Sequence, residues 1–128
     1  MNERTRRIAA WYLILQGVLT SAWWIAMFLY PDWRRPFFAA PETEIGWVTF
    51  FLPDAVFFIG ASMVAGIGLL KRWSMAWPIL LVHVGAVGFA TLLAIGQSLA
   101  TERGWLGAEL MLGHFIVVAV IARNLRPQ

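Results

Sequence analysis

Apolar residues fall in four long stretches, at about residues 8–30, 47–70, 77–97 and 106–122. A helix of about 20 residues crosses a hydrocarbon core of about 30 Å, so each stretch reads as a membrane span. The first run ends at Pro31, the second stops at Lys71-Arg72, and the fourth stops at Arg123. Pro78 suits the first turn of the third span, where its missing N–H costs nothing. The pattern predicts an all-α polytopic membrane protein, an antiparallel bundle of four transmembrane helices forming a single integral membrane domain over residues 1–128. The N-terminal run is too long for a removable leader and lacks a small-residue cleavage site, so it reads as the first span.

The links between spans differ in kind. K-R-W-S-M is short and predicts a tight hairpin between spans two and three. The link over about residues 31–46 contains P-F-F-A-A-P and cannot be one helix. Two placements suit it: a cap folded over the outer mouth, or an interfacial loop with its two Phe in lipid. Small residues such as Ala61 and Ala65 let helices approach closely, which is ordinary bundle packing.

Composition removes the soluble alternatives. Hydrophobic residues make up 60% and charged residues 13%, where a soluble domain carries about 25% charged. The formal charge of +3 comes from residues at span ends and forms no nucleic-acid patch. With no cysteine, thiolate metal sites, iron–sulfur clusters and disulfides are excluded. Arg4, Arg6, Arg7, Lys71, Arg72, Arg123 and Arg126 share one side, against Arg34, Arg35 and Arg103 on the other. The positive-inside rule then predicts a plasma (inner) membrane protein with both termini cytoplasmic. Trp33, Trp47 and Trp105 fall at the outer interface and Trp11, Trp73 and Trp77 at the inner one, the depth amphipathic rings prefer. Trp23 and Trp24 lie deeper, and at least one is expected to face the bundle.

Ionisable groups inside a membrane are costly and point to function. Here they are Asp54, His83, Glu109 and His114. At about 1.5 Å per residue, Gln16, Ser62, His83 and His114 lie roughly 9–13 Å above the inner boundary, one on each span. Asp54 and Glu109 lie higher, at roughly 20–25 Å, with Thr91 near that level. The interior therefore reads as an inner Gln/Ser/His/His layer and an outer acidic layer.

Asp54 follows Pro53 among Phe50, Phe51, Phe57 and Phe58, with Trp23 and Trp24 at related depth. An acid between aromatic walls suits a hydrophobic, amphipathic or cationic small molecule, or a proton carrier. The expected ligand-binding set is Asp54, Glu109, Trp23, Trp24, Phe57, Phe58 and Thr91, serving a binding protein, carrier or lipid-substrate enzyme. A competing reading starts the membrane helix at Pro53, leaving Asp54 as a helix-start acid among headgroups; the same reading applies to Glu109 near the start of span four.

Two further function classes stay open. His83 and His114 on separate helices at one depth could ligate a b-type haem axially, or each could bond a neighbour such as Gln16 or Ser62. Otherwise the chain is an accessory subunit whose polar groups hold a membrane partner or a second copy. No other cofactor is expected, and a His-only metal site lacks a third ligand. Phosphate loops, nucleophile elbows and H-E-x-x-H are absent. Span one carries no carboxylate, unlike the short four-span multidrug antiporters.

The Lys/Arg asymmetry generates a topology test. Single cysteines replacing Arg4, Trp73 or Gln128 should resist an impermeant thiol reagent in intact cells, and Glu42→Cys should react. External labelling of Trp73→Cys would overturn the assigned orientation.

Overall fold

The computed structural model describes residues 2–126, so Gln128, placed on the inner side above, lies outside the described residues. The chain forms four helices that are long and apolar enough to cross a membrane: α1 (Glu3–Leu29), α2 (Glu44–Lys71), α3 (Ala76–Thr101) and α4 (Trp105–Asn124). No strand occurs among the described residues. The helices cover the four apolar stretches, save Tyr30 just past α1, and extend beyond their other ends, where polar residues continue the backbone ladder.

Neighbours in sequence pack as neighbours in space: α1 on α2, α2 on α3 and α3 on α4. The α1–α2 contact is built on glycine. A Cβ on Gly66 would stand 2.8 Å from the Ala10 carbonyl oxygen and 2.8 Å from Ile14 Cγ1. Ala9, Ala10, Leu13 and Gly17 form the complementary buried stripe on α1. The α3–α4 pair is tied by the Trp77 indole N–H, which donates to the Ala122 carbonyl at 3.1 Å. Trp77 thus bonds across the bundle in addition to lying at interfacial depth. The K-R-W-S-M link makes the expected hairpin, with Arg72 in the left-handed region at φ 59 and Trp73 N–H returning to the Gly68 carbonyl.

Within α2 the helix widens to π winding over Asp54–Ala61, immediately after Pro53. Proline donates no N–H and its ring crowds the carbonyl four residues back, so the α ladder is broken there. A widened turn is one way to absorb that break. Helical backbone runs from Glu44, tightened to a 3-10 turn over Val48–Phe50, so Pro53 does not start the helical segment and Asp54 is not its first residue.

Of the two placements for the long link, the structure has the cap. Phe38 is buried and Phe37 half-buried, and both pack on Trp23 rather than pointing to lipid. Gly107 N–H donates to the Pro36 carbonyl, and Gly104, at φ +75, lies under Phe38 where a side chain would strike its backbone. Arg34 donates to the Met27 carbonyl at 2.7 Å and lays its guanidinium 3.6 Å above the centroid of Trp47. Trp47, expected as an interfacial anchor, is consequently buried beneath the cap. Arg103 pairs with Glu42 and holds the other side of the link. The bond to Arg103 keeps the Glu42 carboxyl below its usual range, so this tie persists at neutral pH and is lost as pH falls through that lowered value.

At the opposite end Arg6, Arg7 and Arg72 gather around Glu3. This places the start of α1 and the α2–α3 hairpin at one end of the bundle.

The close approach at Gly66 predicts a selective packing defect. Gly66→Leu should destabilise the protein by about 1–3 kcal/mol through overpacking. Gly85→Leu, where a Cβ meets nothing within 4 Å, should be near neutral. Unfolding midpoints of the two variants in detergent check the difference.

Candidate functional site

A cavity of about 400 Å³ occupies the bundle interior below the cap. Each helix contributes one stripe with helical spacing. Helix α1 supplies Gln16, Thr20 and Trp23, and α2 supplies Phe50, Asp54 and Phe58. Helix α3 supplies Ala90, Ala94, Gln97 and Ser98, and α4 supplies Gly107, Leu110, Met111 and His114. Phe37, Phe38, Ala39 and Gly104 close the top. The steps of three and four residues put each set on a single helix face. Small lining residues, Ala90 and Ala94 on α3 and Gly107 on α4, leave the space that the larger side chains border. The cavity spans both polar levels, with Asp54 on its wall and Gln16 and His114 at its inner end.

Asp54 is fixed from across the bundle. The Trp24 indole N–H donates to its Oδ2 at 3.0 Å. No other protein donor bonds this carboxyl among the described residues, so Oδ1 has no protein partner. Trp24 is 2% exposed and sits in an aromatic cluster with Trp23, Phe28, Phe38, Trp47 and Phe51. Its place is therefore behind Asp54 rather than on the cavity wall.

The other expected members divide. Trp23 and Phe58 line the cavity. The Phe57 side chain does not: it is exposed on the outer face of α2, and only its carbonyl turns inward. Thr91 is buried but its hydroxyl bonds the Val87 and Met111 carbonyls within the α3–α4 contact, away from the cavity. Glu109 is exposed and absent from the lining, so it does not join Asp54 on the cavity wall as expected. Successive residues of α4 differ by about 100° around the helix, so Gly107, Leu110 and His114 border the cavity while Glu109 does not.

The inner level is a hydrogen-bonded chain. The His83 ring bonds the Phe57 carbonyl at 2.8 Å through Nδ1. A carbonyl only accepts, so Nδ1 of His83 carries the proton and Nε2 is left as acceptor in the neutral ring. The two histidines meet at 3.3 Å between their Nε2 atoms. His114 therefore donates from Nε2, and its Nδ1 accepts from the Tyr12 hydroxyl at 2.7 Å. Every donor in the sequence Tyr12, His114, His83, Phe57 thus points one way. Gln16 and Ser62 stand beside this chain but bond within their own helices, Gln16 to Thr20 and Ser62 to the Ile59 carbonyl. The Gln16 Oε1 atom is buried without a partner.

This geometry does not fit the haem alternative. An iron between two imidazoles needs about 2 Å to each nitrogen and a macrocycle between the rings. The rings here are in direct hydrogen-bond contact at 3.3 Å, with no room for a macrocycle between them. Nor does any group of three metal-ligating side chains come together among the described residues.

Tyr12, Gln97 and Ser98 are site residues the sequence reading missed. Tyr12 lies one turn before Gln16 on the stripe that continues to Thr20 and Trp23, a spacing that would have exposed it.

Comparison of the chain with models of protein families, with characterised proteins and with solved structures gives no match.

Removal of the Tyr12 hydroxyl leaves His114 Nδ1 without its donor. Tyr12→Phe should cost about 0.5–2 kcal/mol, the range for interhelical hydrogen bonds in membranes. His114→Phe in the same background should then cost less than it does alone, which a double-mutant cycle of unfolding free energies measures.

Proposed function

We propose that the protein binds a hydrophobic or amphipathic small molecule from the bilayer in the cavity beneath the cap. The observation that carries this reading is the cavity itself: about 400 Å³, walled by aromatic and small side chains, with a few polar groups converging on it. Ligand sites have this character, mostly apolar with sparse polar groups that fix orientation. The volume lies within the usual span of about 300–1,000 Å³ for small-molecule sites. An apolar void of this size gains nothing for packing, since interiors otherwise close to high density.

Access is proposed along the seam between α1 and α4. These two helices make few backbone contacts with each other. The bond of Tyr12 to His114 and the cap close the seam's two ends. A bilayer molecule entering there meets the cavity without crossing water. The Arg-rich end is placed in the cytoplasm, so the cap faces the outer side of a plasma (inner) membrane.

Filling the void tests the proposal. Ala94→Phe puts a ring into the cavity from α3 while leaving Asp54, Trp24 and the histidines in place. The wild-type protein should co-extract a hydrophobic small molecule, detectable by mass spectrometry, and Ala94→Phe should lose it while remaining folded. Identical small-molecule content in both proteins would overturn the reading and favour the accessory-subunit alternative.

A further inference from the structure

The charge pattern inside the cavity narrows the ligand class; this step rests on the ligand-binding reading above. Asp54 is the one carboxyl on the lining, and no Lys or Arg lines it among the described residues. Its Oδ2 is taken by Trp24, while Oδ1 has no protein donor. A buried carboxylate without a counter-charge is costly, and a protein-supplied cation is not there to offset it. The remaining polar groups are uncharged, and several can accept. Gln16 Oε1 is buried with no donor, and the Gln97 and Ser98 side chains make no hydrogen bond within the protein among the described residues. Trp23, Phe50 and Phe58 line the cavity together with Asp54. Such rings attract cations once water is excluded.

An anionic headgroup would meet a carboxyl, an unpaired carbonyl oxygen and aromatic quadrupoles, with no cation to receive it. An alcohol would satisfy one acceptor and leave the charge uncompensated. An ammonium has three donors and no acceptor, which is the complement of this lining. We infer that the cavity selects a lipophilic amine, its ammonium on the free edge of Asp54 and its hydrocarbon along the small-residue faces of α3 and α4.

The experiment uses the full chain in phosphatidylcholine nanodiscs with three probes of equal chain length: dodecylamine, dodecanol and dodecanoate, each at equal mole fraction. Binding is read by native mass spectrometry and by the shift in unfolding midpoint. Dodecylamine should bind at least about tenfold more tightly than either other probe, about 1.4 kcal/mol in binding free energy. Asp54→Asn, which preserves size, should bring the amine within about twofold of the alcohol, well under that tenfold step. Because the amine charges both bilayers alike, the difference between wild type and Asp54→Asn isolates the site from the surface. If Asp54→Asn fails to fold, the order of the three probes on the wild type decides. Equal or tighter binding of dodecanol or dodecanoate, amine binding that survives Asp54→Asn, or no amine binding at all would each overturn the inference. Whether the cavity reading falls with it is decided separately, by the molecule lost from Ala94→Phe.

Discussion

An indole N–H inside a bilayer-spanning bundle has no water to bond, so it must find an acceptor in the protein. Trp24 finds Asp54 on the facing helix at 3.0 Å. That contact sets the position of α1 against the widened section of α2. It also holds the Trp24 ring where Phe38 of the cap and Trp47 beneath Arg34 can pack on it. The capped half of the molecule is thus organised around one polar bond inside an aromatic cluster. The carboxyl that receives it lines the cavity and keeps its second oxygen without a protein donor.

The half away from the cap solves the same problem with a longer chain. Tyr12, His114, His83 and the Phe57 carbonyl connect all four helices through three hydrogen bonds. Its final acceptor lies in the widened stretch Asp54–Ala61, so the two polar levels share a backbone segment. Pro53, which interrupts the α ladder, therefore sits next to the one stretch of chain that both levels use.

The spans were legible because length and apolarity are linear properties of a sequence. Depth was legible for the same reason: rise per residue placed His83 with His114, and Asp54 above them. The face each side chain takes was not. Phe57 and Glu109 have the right depth and the wrong direction. For Phe57 the cause is the wide winding after Pro53, which turns less per residue and carries position 57 away from the face that Asp54 and Phe58 share. The cavity was hidden for another reason. Its space is left by Ala90, Ala94, Gly104 and Gly107 among larger lining side chains, and a missing side chain has no chemical signature until the helices are assembled. The cap escaped a firm reading because P-F-F-A-A-P is compatible with both lipid and protein surroundings; Gly104 and Gly107, distant in sequence, create the seat that decides between them.

On the proposed reading, in which a ligand enters along the loose α1–α4 seam, the quantity that sets occupancy changes. A site reached from the acyl region samples a thin two-dimensional reservoir in which a hydrophobic solute is already enriched by partitioning. The transfer out of water, worth about 0.8 kcal/mol per methylene, is spent on entering the lipid and not on entering the protein. Chain length then governs how much solute the reservoir holds, while discrimination falls to the few polar atoms that lipid tails cannot imitate. Such a site can be weak when measured against the membrane and still remain filled, and its saturation follows the lipid-to-protein ratio rather than the aqueous concentration.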